Sequence, residues 1–262
     1  MQQTAWNDGA AYERYVGQWS RIIAPRFIAW LAAAQRLTWL DVACGTGALT
    51  EAILFGAQPS AVDAIDRSPA YLEYARGHIS DQRVRFEEGS AESLPYPDSS
   101  FDIAISGLVL NFIDARRAVA EQRRVTKPGG TIAAYIWDYA DGYEYARLFW
   151  DAAIAVDSAA AAYDPRVLFS LCQGAGLGGL FRENGLTEVE TTHLDATASL
   201  PHFDAYWQAL DARQGSTAEY LSRIGDATRE KIQRELSSRV RRDQGGAVHL
   251  NLRAIAVKGR LC

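Results

Sequence analysis

Two acidic residues and a pair of glycines carry the most legible chemistry in this chain. Leu40-Asp41-Val42-Ala43-Cys44-Gly45-Thr46-Gly47 is an apolar run entering a glycine turn, and a helical pattern with Leu49, Ile53 and Leu54 on one face follows. Glycines there let the backbone bend tightly and lie close to a ligand. Asp66 follows Gly47 by nineteen residues, at the end of the next apolar run, where a carboxylate accepts hydrogen bonds from ribose hydroxyls. Together these features point to an adenosine-type cofactor, and two classes of it fit. A dinucleotide needs the turn amides for its pyrophosphate and usually shows G-x-G-x-x-G, but Thr50 stands where the third glycine belongs. Asp41, just before the turn, repels a pyrophosphate and suits an ammonium group, held directly or through water. Each residue also has a plain structural use, since Gly45 and Gly47 shape a strand-to-helix turn and Asp66 or Ser68 caps a helix. Their occurrence in order is what argues for a site.

The elements that must position these residues alternate between Leu37 and Ala134. Apolar runs at Thr38–Ala43, Ser60–Asp66, Val84–Gly89, Phe101–Gly107 and Thr131–Asp138 predict strands. Helices are expected after the glycine turn, from Pro69 to about Ile79, and from about Asp114 to Thr126, where Pro128-Gly129-Gly130 closes the last one off. Such alternation predicts an α/β fold with a doubly wound parallel sheet. Ligands in such sheets bind beyond the carboxyl ends of the strands, here just after Ala43, Asp66, Gly89, Gly107 and Trp137. Beyond Asp138 the pattern predicts a long helix over about Tyr143–Ala162 and a strand over Leu186–Thr197. A helical block with Leu221, Ile224, Ile232, Leu236 and Val240, interrupted at Thr228, precedes a strand over Val248–Val257. Gly174 to Gly179 formally matches G-x-G-x-x-G, but no acidic strand end follows it, and it reads as a loop or broken helix. The expected organisation is a single domain: 1–36 an N-terminal helical cap, 37–138 the cofactor-binding core, 139–185 a helical cover, and 186–262 C-terminal strands with a helical insertion.

At these residues the chain resembles the class I methyltransferases that use S-adenosylmethionine, in particular the broad type-11 group that includes quinone-biosynthesis methyltransferases. The family turn, acidic-x-Gly-x-Gly-x-Gly, is matched by Asp41, Gly45 and Gly47, with Ala43 replacing the first glycine. Asp66-Arg67-Ser68-Pro69 resembles the family's ribose-binding strand end, and Gly89-Ser90-Ala91-Glu92 its Gly-Asp-Ala-Glu adenine segment, with Ser90 for the usual aspartate. Leu94-Pro95-Tyr96-Pro97 before Ser100-Phe101-Asp102, and the Arg124–Gly130 segment, are similar too, so the likeness covers about Leu37 to Asp138. It implies a seven-stranded Rossmann-like sheet, mostly parallel with an antiparallel last strand, and S-adenosylmethionine as cofactor. The implied activity is methyl transfer to a small apolar or aromatic acceptor. The cofactor-binding residues it implies are Asp41, Ala43, Gly45, Gly47, Asp66, Arg67, Ser90, Ala91, Glu92 and Ser106. In related methyltransferases a segment before the first strand folds over the cofactor, which assigns Tyr15 and Trp19 to a cap.

Methyl transfer from a sulfonium is an in-line displacement, for which a protein supplies alignment, proximity and a dry pocket. Asp138, His193 and His202 lie after strands or in the cover, but no residue stands out as a catalytic base. Aromatic residues crowd the stretch from Tyr135 to Trp150. Sheet alternation points Tyr135, Trp137 and Tyr139 the same way. Trp137, Tyr139 and Tyr143 are the expected acceptor pocket, where an aromatic face attracts a cation and suits a flat acceptor. Core packing would use the same residues. A net charge of -5 argues against a nucleic-acid partner, and the clusters Arg116-Arg117, Arg123-Arg124 and Arg239 to Arg242 read as solvated helix surface. The four histidines and three cysteines show no ligand spacing, so no metal is expected. Scattered, odd-numbered cysteines, no basic-apolar leader and no apolar run near twenty residues predict a cytoplasmic protein without a membrane span. An NAD(P)-dependent oxidoreductase and a cofactor-binding methyltransferase-like module without catalysis are the rival readings.

Overall fold

Period-two alternation divides each central strand between two cores. In β1 (Thr38–Val42) Trp39 and Asp41 face one side of the sheet, and Leu40 and Val42 the other. The computed structural model describes residues 17–173, 176–211 and 215–262. Its seven strands form one sheet in the order β3-β2-β1-β4-β5-β7-β6. The others are β2 (Ala61–Asp66), β3 (Val84–Glu88), β4 (Phe101–Gly107), β5 (Thr126–Trp137), β6 (Thr187–Leu200) and β7 (Val248–Arg260). The first five pair in parallel, and β7 lies antiparallel to both β5 and β6. The sheet is therefore mostly parallel with an antiparallel last strand, as the resemblance implies.

Helices cover both faces, as a parallel sheet requires. On one side α1 (Gln18–Leu31), α2 (Ala48–Gly56) and α5 (Glu144–Val156) pack over Trp39, Ile103, Ile105 and Tyr135. On the other, α4 (Ala115–Val125) and α7 (Gly176–Glu183) bury Val119, Leu177 and Phe181 against Ile132, Ala134 and Val257. Four further helices are α3 (Pro69–His78), the short α6 (Pro165–Leu168), α8 (Phe203–Leu210) and α9 (Gly215–Leu221). A last helix, α10 (Asp226–Arg239), lies against α5. Among the described residues no helix is long and apolar enough to cross a membrane. Much of the arginine surface is paired: Arg116 with Glu183, Arg239 with Glu235, and Arg241 with Glu144.

Several boundaries differ from the sequence pattern for local reasons. β5 begins at Thr126, because Pro128-Gly129-Gly130 forms an irregularity inside the strand instead of stopping it. Gly129, at φ +74°, donates its N–H to Leu261 O, and the Leu261 N–H bonds Gly130 O. The long helix predicted after Tyr143 breaks at Asp157, whose carboxylate accepts from the Ala159 N–H and starts a 3-10 turn over Ser158–Tyr163. The glycine-rich segment read as a loop or broken helix is helical from Gly176. A Cβ on Gly178 would stand 2.9 Å from Thr191 Cγ2, so a glycine there lets α7 pack close on β6. Thr228 lies within α10, and the interruption falls at 222–225, just before Gly225 opens that helix.

Candidate active site

The turn after β1 is a run of left-handed residues: Ala43 at φ +59°, Gly45 at +55° and Gly47 at +89°. Alanine adopts this region at a modest cost that glycine avoids. At Gly45 a Cβ would meet nothing within 4 Å, so the backbone there faces open space. At Gly47 it would stand 2.6 Å from Ile79 Cδ1, which fixes how closely the turn approaches the residue after α3. Asp66, at the end of β2, fastens this turn to the start of α3. Its Oδ2 accepts from the Gly45 N–H at 2.9 Å and its Oδ1 from the Ser68 N–H at 2.8 Å. Burial raises its pKa, against the Ser68 and Gly45 amides, the Arg67 charge and the Arg67 amide. Arg21 of α1 pairs with Glu51 and donates to Thr46 O at 3.5 Å, tying that helix to the turn.

Asp41 lies behind the turn, with no exposed surface. The Thr50 hydroxyl donates to its Oδ2 at 2.6 Å, and its Oδ1 has no hydrogen-bond partner among the described residues. Burial pushes its pKa up to about 7; the Thr50 hydrogen bond opposes the rise and the Asp66 charge adds to it.

A cavity of about 450 Å³ runs across the carboxyl ends of the parallel strands. Towards β2 and β3 it is lined by Ala43, Gly45, Asp66, Arg67, Ser68, Ser90, Ala91 and Glu92, and over the middle by Gly107, Leu108 and Val109. Towards β5 and the helical cover it is lined by Phe112, Trp137, Tyr139, Tyr143, Trp150, Phe169 and Thr217, among others. The rings on this side form a continuous chain. Trp137 stacks on Tyr143 with centroids 4.4 Å apart and planes 5° from parallel. Tyr139 meets Tyr143 edge-on at 5.5 Å and Phe169 at 5.3 Å, and Phe169 meets Phe112 at 5.2 Å. All the charged residues of the lining, Asp66, Arg67 and Glu92, sit towards β2 and β3.

The structure brings most of the residues singled out in the sequence to this cavity: Ala43, Gly45, Asp66, Arg67, Ser90, Ala91 and Glu92, with Trp137, Tyr139 and Tyr143. Asp41 and Gly47 support the turn from behind. Ser106 is fully buried, and its hydroxyl accepts from Gln122 Nε2 at 3.4 Å. Trp19 packs on Tyr145, with centroids 5.9 Å apart, outside the lining. Tyr15 falls outside the described residues. None of the three candidate bases lines the cavity. Asp138 Oδ1 accepts from the Asp141 N–H at 3.2 Å, His193 is exposed on β6, and His202 Nδ1 accepts from the Ala205 N–H at the start of α8. Sequence reasoning pointed to the stretch after Gly107 without naming Leu108, Val109 or Phe112, included Trp150 in the aromatic stretch without assigning it to the pocket, and missed Phe169, Ser216 and Thr217.

A methyltransferase domain family model, that of the type-11 group, matches residues 40–134, which run from β1 into β5 and hold the charged end of the cavity. Residues 40–134 thus match a methyltransferase domain. Over 124 residues it is 37% identical to a malonyl-[acyl-carrier protein] O-methyltransferase of Pectobacterium atrosepticum, covering 47% of each chain. Over 115 residues it is 37% identical to a demethylmenaquinone methyltransferase of Clavibacter sepedonicus, covering 43% of each. The matched part of this chain thus spans less than half the length of either relative. Among solved structures, Haemonchus contortus phosphoethanolamine N-methyltransferase 2, in complex with S-adenosyl-L-methionine, shares the fold with a TM-score of 0.60 at 15% identity. That likeness covers 99% of this chain and 58% of the other.

Proposed function

We propose that the protein is an S-adenosylmethionine-dependent methyltransferase acting on a small apolar or aromatic acceptor. The observation that carries this reading is the single cavity joining the Asp66 and Gly45 end to the aromatic wall. The residues present fit the cofactor: the space over Gly45 is open, and the Asp66 carboxylate lines the cavity at the end of β2. In this reading Asp66 and Arg67 hold the ribose, Ser90, Ala91 and Glu92 flank the adenine, and Ala43 and Gly45 make room for the amino-acid end. When bound, S-adenosylmethionine supplies a methyl group on a cationic sulfur.

The chain's own contribution is binding, alignment and exclusion of water. The Trp137–Tyr143 stack holds both rings in place, and aromatic faces favour a neighbouring cation and a flat partner alike. Towards the helical cover the described lining holds no carboxylate, imidazole or amine, so orientation and proximity are the main levers it offers. We read the chain as one domain, because all seven strands share a sheet. Three unpaired cysteines support a reducing, cytoplasmic setting. The test is calorimetry with S-adenosylhomocysteine and with NADH. Saturable binding of the first and none of the second is expected, and the reverse overturns the reading in favour of a nicotinamide enzyme.

A further inference from the structure

Building on the methyltransferase reading, we infer that the acceptor enters uncharged and that Thr217 anchors it through one hydrogen bond to an oxygen of the acceptor. Thr217 is 3% exposed, lines the cavity, and its hydroxyl has no hydrogen-bond partner among the described residues. Its hydroxyl brings one donor and two acceptor sites to the part of the cavity that Trp150 and Phe169 also line. Its helix, α9, is held firmly in place. The Tyr220 hydroxyl donates to Asp157 Oδ2 at 2.9 Å, and the Tyr220 ring packs on Trp150 and Tyr163 at 5.8 and 5.5 Å. Thr217 lies three residues before that anchor, so its hydroxyl is presented from a fixed element.

The same wall sets the charge of the acceptor. Asp66, Arg67 and Glu92 are all at the far end of the cavity, and Glu92 Oε1 already accepts from the Asp114 N–H at 3.0 Å. A carboxylate or phosphate beside Trp137 and Trp150 would find no cationic side chain of the described lining to pair with. An ammonium would find aromatic faces but no carboxylate of the described lining beside it, and one face of Tyr143 is covered by Trp137. A flat neutral ring bearing a hydroxyl or carbonyl meets both demands, since its faces pack on the rings and its oxygen takes the Thr217 hydrogen bond.

The test is calorimetry on protein saturated with S-adenosylhomocysteine, using four probes of one size: naphthalene, 2-naphthol, 2-naphthoate and naphthalen-2-ylmethylammonium. 2-Naphthol is expected to bind ~5-fold more tightly than naphthalene, the worth of about one hydrogen bond, and both charged probes more weakly than either. Thr217→Val brings 2-naphthol down to the naphthalene level, and Thr217→Ser keeps the preference. A charged probe that binds as tightly as 2-naphthol overturns the inference, as does 2-naphthol binding no better than naphthalene to the unaltered protein. S-adenosylhomocysteine is titrated first into the unaltered protein and each variant. Failure at that step in the unaltered protein defeats the methyltransferase reading, whereas normal cofactor binding without probe selectivity defeats only the Thr217 assignment. If Thr217→Val does not fold, the selectivity of the unaltered protein and of Thr217→Ser still decides.

Discussion

Replacing Asp41 by asparagine is expected to flatten the dependence of stability on pH between about 4 and 7. The folded protein keeps the Asp41 proton up to about pH 7, whereas the unfolded chain releases it near 3.8. Between those values the folded state binds more protons, so stability is fully present below about pH 4 and is lost as pH rises through 7. Roughly three units at 1.36 kcal/mol each give a loss on the order of 4 kcal/mol over the whole window, and about 3 kcal/mol between about pH 4.5 and 7.5. Asparagine still offers an oxygen to the Thr50 hydroxyl, but its amide hydrogens find nothing at the Oδ1 position, so its stability is offset at every pH. The slope is therefore the readout. Glu121, held low by its hydrogen bond from Arg124, contributes in the opposite sense in both proteins, and Asp66, whose pKa is also raised, leaves a residual slope in both. Urea unfolding of both proteins across this range measures the effect. Parallel curves for the two would refute the argument that burial keeps Asp41 protonated.

Other consequences are open to the same kind of measurement. Asp66→Ala should weaken S-adenosylhomocysteine binding by about 1.5 to 3 kcal/mol in calorimetry, the worth of hydrogen bonds to a charged group; an unchanged affinity removes Asp66 from the site. Gly45→Ala should lower stability by about 1 to 2 kcal/mol, the strain of a side chain at φ +55° since its Cβ meets nothing, and weaken cofactor binding several-fold as the methyl takes the open space. Gly107→Val should cost about 2 kcal/mol or more in urea unfolding, since even a Cβ there stands 2.8 Å from the Tyr135 ring. Arg124→Ala removes the hydrogen bonds to Leu94 O and Tyr96 O that hold the segment after β3, and should cost about 2 to 3 kcal/mol by the same method.

What the sequence made legible was local. The five parallel strands show as apolar runs closed by turn residues, and Asp66 and the glycine turn declare themselves because strand end, turn and helix start are adjacent in the chain. Asp41 seemed to belong in the pocket, yet strand alternation puts it on the Trp39 face, under α2, where Thr50 meets it. Pro128 to Gly130 looked like an end because the pairing that carries them, with Leu261, comes from the far end of the chain. The aromatic wall was half visible. Trp137, Tyr139 and Tyr143 follow a strand, but Phe169 and Thr217 arrive from separate helical pieces whose docking no local pattern encodes.

The placement of β7 between β5 and β6 orders events on the ribosome. β6 leaves the exit tunnel before the neighbour that will hold it, because its partner is translated almost fifty residues later. Until then β5 presents an unpaired edge, while β1 to β5 can already zip together. A nascent chain would thus shape its nucleoside cradle first and receive the far wall of the chamber only when the seventh strand slides home.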